Sequence, residues 1–165
     1  MRELKIRFLS ILTSLTLSRN SIILFTTLIF IGLRHEVGGD WDDYLMWYKM
    51  IEVGESVNFE PGYNLLNKFS ALLGGGIYLL NFLNIMIIII LFWKSSKVIN
   101  ISIPIFCLLI FPHHILIVTM GYSRQAIAIS ITFYALVELL VNQKKWYFIL
   151  LITIAILFHY SAFSA

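Results

Sequence analysis

Arginine and carboxylate side chains are concentrated in one short part of this chain. The stretch RHEVGGDWDDY, residues 34–44, begins with Arg34 directly after an apolar run, and seven of the nine acidic residues lie between positions 36 and 60. A guanidinium group can hold phosphate oxygens through two parallel hydrogen bonds, and Asp40 or Glu60 could take a proton from a hydroxyl. The alternative role for Arg34 is an anchor at a helix end, reaching toward lipid headgroups.

A second arginine, Arg124 in MGYSRQAIAIS, stands where a cation is unexpected. It opens an apolar helix, and the positive end of a helix dipole disfavours a cation. It also lies on the side of the membrane that carries fewer basic residues, as described below. These two conflicts favour an anion-binding role over that of a surface arginine.

His159 lies inside the last apolar segment, about 20 Å beyond Trp146 at the rise of a helix. Ala155, His159 and Ala162 share one helical face, and small residues are typical of helix–helix contacts. Because ionisable residues within spans usually face the protein interior or a cavity, His159 is a candidate base; a structural hydrogen bond is equally compatible.

Asp40, Trp41 and Asp42 form a D-x-D pattern, which in glycosyltransferases can hold a divalent cation on a sugar phosphate. Asp40 suits a helix N-cap equally well, so we expect no metal and no cofactor. The chain has no metalloprotease, nucleophile-elbow, P-loop or dinucleotide motif. Its single cysteine, Cys107, excludes a disulfide within the chain, and its scattered basic residues give no nucleic-acid surface.

Composition places these residues in a membrane protein. The 165 residues are 59% hydrophobic and 13% charged, whereas soluble domains carry about 25% charged residues. The sequence predicts an all-α, multi-pass membrane domain with about five spans and a partly helical loop at 34–75. The predicted spans are 18–33, 76–93, 101–120, 124–141 and 146–165, after an N-terminal segment, 1–17, at the cytoplasmic surface.

The distribution of lysine and arginine predicts the orientation. Eight basic residues lie on one side of the five spans and four on the other, so the first side, with the N-terminus, is expected to be cytoplasmic. The loop at 34–75 is then extracytoplasmic, level with Arg34, Arg124 and His159. Because the last span ends without a flanking loop, we expect this chain to be the N-terminal part of a larger bundle.

The loop itself contains two helical patterns. Tyr44, Trp47, Tyr48 and Ile51 repeat at helical spacing, which predicts an amphipathic helix at 41–52 with Asp40 as its N-cap. Pro61 suits the first position of a second helix, which glycines end. The expected apolar stripe of this helix is Leu65, Leu66, Phe69, Leu72 and Leu73. Both helices are predicted to lie on the membrane with their apolar faces down.

Four short elements of this sequence, in order, resemble the EpsG-like, Wzy-type family of bacterial polysaccharide polymerases. They are LRHEVGGDWDDY, FEPGYNLLN, GYSRQAIAISI and FHYSAF, and the match covers residues 34–165 in the right order. In the first element His35 and Glu36 separate Arg34 from Val37. The elements carry Arg34, Val37, Gly38, Asp40 and Tyr44; Glu60, Gly62 and Tyr63; Arg124, Gln125 and Ala128; and His159, Ser161 and Ala162.

The resemblance implies a glycosyltransferase of the bacterial cytoplasmic membrane. It would join oligosaccharide repeat units carried on undecaprenyl diphosphate into O-antigen, capsule or exopolysaccharide, in the company of a flippase and a chain-length regulator. Such a reaction needs a cation for the leaving diphosphate and a base for the attacking hydroxyl. The implied catalytic candidates are Asp40, Glu60 and His159, and the implied substrate-binding residues are Arg34, Arg124, Gln125, Tyr44 and Tyr63.

Two other functions use some of the same residues. A flippase or transporter of the glycolipid would need the cations and aromatic residues but no base, and helices broken at Pro104 and Pro112 are compatible with it. A membrane acyltransferase that modifies the polymer would use His159 as its base, but it leaves the acidic loop unexplained.

Overall fold

The computed structural model describes residues 19–164, and all regular structure in that range is helical. The main helices are α1 (Arg19–Gly32), α2 (Trp41–Glu52), α3 (Pro61–Leu72), α4 (Gly76–Val98), α5 (Ile103–Ile110), α6 (Ser123–Asn142) and α7 (Lys145–Ile156). A π-helix, Phe111–Thr119, continues α5, and a 3₁₀-helix, Tyr160–Ser164, follows α7. The all-α prediction is confirmed. The predicted segment 1–17 lies outside the described residues.

Two of the described helices are long and apolar enough to cross a bilayer. They are α4, with 23 residues, and α6, with 20. Three shorter apolar helices accompany them: Arg19–Gly32, Ile103–Thr119 and Lys145–Ile156. The five predicted spans therefore correspond to five apolar helices, of which two reach full spanning length within the described part of the chain.

The third apolar helix changes its geometry at a proline. Pro104 lies in the first turn of α5, where its missing N–H costs nothing, whereas Pro112 lies inside the helical run. Proline removes one backbone hydrogen bond and crowds the preceding turn. From Phe111 onward the helix is a wider π-helix. Within it the Thr119 hydroxyl donates to the His114 carbonyl at 2.8 Å.

The helix within the last predicted span, 146–165, is shorter than the span. Helix α7 ends at Ile156, and the Leu157 carbonyl accepts a hydrogen bond of 2.8 Å from the Gly62 N–H instead of one from its own helix. His159 therefore lies in the break between α7 and the 3₁₀-helix rather than inside a continuous helix. The apolar run continues across this break, so hydropathy does not reveal where the helix stops.

Helix α6 forms the centre of the bundle and packs against α4 and α7. Small side chains make this close packing possible, since they let helix backbones approach one another. Fully buried small residues on these helices include Ser95, Ala126, Ser130, Ala135 and Ala155.

Helices α2 and α3 cover the end of the bundle where α1 and the π-helix end and where α4 and α6 begin. We call this end, with residues 34–75, the capped end. The predicted helix bounds at 41–52 and the start at Pro61 are confirmed. The apolar face of α2, including Tyr44 and Tyr48, is buried in protein rather than turned to a membrane surface, which corrects the predicted orientation.

Helix α3 has the opposite arrangement. Its inward side carries Tyr63, Asn67 and Ser70, whereas Leu72 in the predicted apolar stripe is 83% exposed. The stripe is thus free to contact lipid, as predicted for a helix lying on a membrane.

The opposite end of α6 has its own ion pair. The Glu138 carboxylate contacts Lys144 Nζ at 2.9 Å and accepts hydrogen bonds from Tyr134 and Asn142. This ion pair joins the end of α6 to the start of α7, away from the residues of the capped end.

Candidate functional site

Arg34 is buried at the capped end, where it ties α1 to the start of α6. Its Nη1 donates to the carbonyl oxygens of Thr119, at 3.0 Å, and Met120. Its Nη2 donates to Ser123 Oγ at 2.7 Å and to Asn81 Oδ1 at 3.3 Å. Four acceptors from three elements therefore meet on one guanidinium group.

This environment makes Arg34 a part of the framework. Burial lowers the pKa of Arg34 from its ordinary value, and the nearby Tyr63 and Tyr44 hydroxyls act in the opposite direction. The side chain is only 6% exposed, and both of its terminal nitrogens already donate to protein acceptors. As folded, Arg34 holds the 119–123 turn in place and has no terminal N–H to spare for a ligand.

Gly38 is needed for the same junction. It has φ of 107°, which side-chain-bearing residues rarely adopt, and a Cβ at this position would overlap the Met120 carbonyl oxygen. This is one of the carbonyls that Arg34 binds. The loop after α1 can therefore pass this close to the start of α6 only with glycine at position 38.

Arg124 lies directly beyond this turn and forms an ion pair with Glu60. Its Nη1 donates to Glu60 Oε2 at 2.8 Å, with side-chain exposures of 23% for Arg124 and 6% for Glu60. Arg124 Nε is buried and has no acceptor in the described residues. Position 124 is in the first turn of α6, and Glu60 is the residue before α3, so the pair joins the loop to the bundle.

Two aromatic rings line the guanidinium group of Arg124. Its Cζ lies 4.8 Å from the centroid of Phe59 and 5.9 Å from that of Trp47. These two rings contact each other edge to face, with centroids 5.1 Å apart. Cation–π contacts of this kind favour a charged guanidinium while leaving its N–H edge free for an anion.

Tyr44 and Tyr63 connect the two arginines. Their rings meet edge to face at 5.9 Å, and both hydroxyls lie within electrostatic reach of Arg34. Burial raises the pKa of Tyr63 above its ordinary range, which keeps its phenol protonated. Tyr63 is 1% exposed, so neither face of its ring is free to stack on a sugar.

Asp40 and Gln125 are neighbours of this cluster along the chain, since Asp40 precedes Trp41, whose ring centroid lies 5.9 Å from Arg34 Cζ, and Gln125 follows Arg124. Asp40 is the N-cap residue of α2 by position, but its carboxylate makes no side-chain cap hydrogen bond. It is half-buried, and so is Gln125, which follows Arg124 in the first turn of α6. No ion pair involves either side chain within residues 19–164.

The segment that carries His159 is joined to the loop by a contact between α3 and the end of α7. Gly62 donates its N–H to the Leu157 carbonyl at 2.8 Å, and a Cβ on Gly62 would lie 2.8 Å from the same oxygen. This contact joins Gly62, two residues after Glu60, to the segment that carries His159. The imidazole Nδ1 lies 3.1 Å from the Ser161 N and 2.8 Å from Ser161 Oγ.

A mainly apolar cavity of about 270 Å³ borders the His159 segment. Its lining residues come from two turns of α6 and from the 3₁₀-helix: Ala128, Ile129, Thr132, Phe133, Leu136, Ser161, Ala162 and Ser164. Ala128 is one helical turn from Arg124, so the cavity begins next to the charged cluster and continues along α6.

Sequence reasoning missed Asn81 and Asn84, which lie on one side of α4 beneath Arg34. Both are buried, and their Nδ2 atoms have no acceptor in the described part of the chain. Paired asparagines in an apolar helix are a detectable signal, because polar groups within a span are costly and usually functional.

A comparison with protein-family models matches residues 20–165 to the EpsG family. No curated protein and no solved structure matches the chain significantly.

Proposed function

The chain belongs to the EpsG family, which indicates a membrane protein with a polysaccharide-polymerase-like role, and we propose that it is a glycosyltransferase acting on a lipid diphosphate. The donor is an oligosaccharide repeat unit linked to undecaprenyl diphosphate, and the acceptor is a sugar hydroxyl of a second lipid-linked unit. The product is a longer surface polysaccharide, of the O-antigen, capsule or exopolysaccharide class.

The reaction is one substitution at an anomeric carbon. The acceptor oxygen forms a bond to this carbon as the bond to the phosphate oxygen breaks, and the bonding electrons leave with the diphosphate. The hydroxyl proton passes to a base on the protein. Catalysis therefore requires a cation where negative charge grows on the diphosphate and a base on the acceptor side.

The observation that carries the proposal is the partly exposed Arg124–Glu60 ion pair at 2.8 Å. It places a phosphate-binding cation and a proton acceptor side by side at the capped end. Among residues 19–164 Arg124 Nε has no acceptor, so a diphosphate oxygen at the Nε edge would satisfy a donor that these residues leave unpaired. Glu60 then receives the proton as the general base.

The remaining site residues take supporting roles in this proposal. Asp40 and Gln125, neighbours of the cluster along the chain, would hydrogen-bond sugar hydroxyls, and Tyr44 would donate to the diphosphate. Arg34 acts on the reaction indirectly, because its hydrogen bonds position the turn that carries Arg124. The undecaprenyl chain would lie against the apolar helices, in the membrane.

The localisation and partners follow from this reaction. We place the enzyme in the bacterial cytoplasmic membrane with its N-terminus in the cytoplasm and the capped end on the outer side. A flippase would deliver its substrate there, and a chain-length regulator would limit its product.

Two measurements test the proposed function. In a strain that lacks the gene, surface polysaccharide should collapse to single repeat units, and the gene should restore long chains. Glu60→Gln should lower polymer formation in isolated membranes by about 10²–10⁴-fold, as expected for loss of a general base. Asp42→Asn, an exposed acid on α2, is the matched control and should keep activity.

A flippase remains the second candidate, favoured by the change from α-helix to π-helix near Pro112. The two functions differ in what the deletion strain displays. Loss of a polymerase leaves single repeat units on the outer surface, whereas loss of a flippase leaves none there. If the deletion strain displays no repeat units on its surface and retains lipid-linked units inside, the polymerase proposal is overturned.

A further inference from the structure

The hydrogen bonds around His159 determine which imidazole nitrogen carries the proton. The Ser161 backbone N–H points to Nδ1 at 3.1 Å, and a backbone N–H can only donate. Nδ1 therefore carries no proton, and its lone pair accepts this hydrogen bond. The Ser161 hydroxyl, 2.8 Å from the same atom, donates to it as well. In a neutral imidazole one nitrogen accepts and the other carries the proton, so Nε2 carries it here.

This arrangement follows from the backbone. His159 precedes the 3₁₀-helix Tyr160–Ser164, and its side chain accepts the N–H two residues on, as a cap residue does. The break after α7 creates the need for such a cap. The protonation pattern of the imidazole thus depends on the end of a helix rather than on another ionisable residue.

Nε2–H is free for a ligand. No hydrogen bond or ion pair of Nε2 occurs in the part of the chain that the structure describes, and the side chain is only half-buried. The Gly62–Leu157 hydrogen bond joins this segment to the start of α3, two residues after Glu60. Ser161 also borders the same cavity as Ala128, which is one helical turn from Arg124. The segment that carries Nε2–H is therefore attached to the elements that carry the ion pair.

We propose that His159 donates its Nε2–H to an oxygen of the donor's diphosphate, and that it does not act as the general base. This inference rests on the proposed function. A neutral imidazole with its proton on Nε2 has no free lone pair toward the substrate, so it cannot take the acceptor proton there. It adds a hydrogen-bond donor to the cation Arg124 and leaves the base role to Glu60.

Two amides separate the donor role from the base role. His159→Gln places an amide N–H near the position of Nε2, whereas His159→Asn can still accept the Ser161 N–H but has no donor at that position. Neither amide is a base. We expect polymer formation in membranes to fall on the order of 10- to 100-fold with asparagine, as for a lost hydrogen bond to a charged group. Glutamine should stay within about 10-fold of the wild type. Equal, severe losses in both variants, with normal protein levels, would overturn the proposal.

A spectroscopic measurement tests the protonation pattern without activity. Nitrogen NMR of histidine-labelled protein in membranes should show protonated Nε2 and unprotonated Nδ1 for the signal that His159→Asn removes. Farnesyl diphosphate should shift that Nε2 signal in the wild type. Ser161→Ala is the matched control, since it keeps the backbone N–H and so the protonation pattern. A proton on Nδ1, or no response to the diphosphate, would overturn the proposal. A normal spectrum with no polymer formed by the wild type would instead reject the proposed function.

Discussion

Arg34 and Arg124 have the same side chain but different surroundings. The terminal nitrogens of Arg34 donate to four protein acceptors, whereas Arg124 makes one ion pair, to Glu60, and is partly exposed. The first arrangement suits a structural junction, and the second suits a ligand that can share the guanidinium group. Substitution of Arg124 should therefore lower polymer formation, whereas substitution of Arg34 should lower stability.

At Arg124, lysine should perform almost as poorly as alanine. A lysine ammonium keeps the charge but lacks the planar fork that binds two phosphate oxygens at once. We expect both variants to display single repeat units instead of long chains, at unchanged protein levels, by electrophoresis of the surface polysaccharide. Lys68→Ala removes an exposed cation from α3 and should have no effect. Normal chain length with Arg124→Lys would show that a point charge is sufficient.

At Arg34, the expected effect is on stability. Arg34→Ala leaves buried acceptors without a donor, and each such group costs about 1–3 kcal/mol. Thermal unfolding of the purified protein in detergent should show a clearly lower midpoint than for Arg124→Ala, which leaves one buried acceptor, the Glu60 carboxylate, without its donor. Midpoints lowered equally in the two variants would contradict the structural role of Arg34.

At the scale of the helices, the sequence predicted local features well. The bounds of α2 and the start of α3 at Pro61 follow from periodicity and proline chemistry, which act within a few residues. The end of α7 could not be predicted in this way, because the hydrogen bond that replaces the next turn comes from Gly62, far away in the chain. The buried face of α2 was identified, but whether protein or lipid covers it depends on the neighbouring helices.

The candidate site shows the same division. The residue types of Arg124, Glu60 and His159 were evident from the sequence, and so was their common end of the bundle. The pairing of Glu60 with Arg124, 64 positions apart, depends on how α3 docks onto α6. The burial of Arg34 by the turn at Met120 likewise depends on tertiary packing. The local sequence could therefore not show that Arg34 is buried and unable to bind a diphosphate directly.

Alanine substitutions at two adjacent glycines test whether the loop after α1 must pass close to the start of α6. Gly38→Ala would place a methyl group against the Met120 carbonyl oxygen in a backbone conformation that alanine avoids. We expect a loss of more than about 1 kcal/mol of stability, together with loss of polymer. Gly39→Ala is the matched control, because no atom lies within 4 Å of its Cβ position and its φ is not in the positive range. If both variants unfold at the wild-type temperature, the close approach is not needed.

At the scale of the whole molecule, the orientation in the membrane is the property to test. The excess of basic residues on one side predicts that the capped end faces outward. In a background with Cys107→Ser, cysteine at the exposed Asn58 should react with an impermeant thiol reagent in whole cells, and cysteine at the exposed Lys97 should not. Labelling at position 97 alone would reverse the orientation.

The ion pair between Glu60 and Arg124 also has a consequence for synthesis. The carboxylate leaves the ribosome 64 residues before its cation, and the Leu157 carbonyl that docks Gly62 follows later still. A nascent chain that has reached only α5 therefore contains the loop and its acids but neither the arginine nor the carbonyl that hold them. The site cannot assemble in the order in which its parts are made, and it forms only after α6 and α7 have joined the bundle.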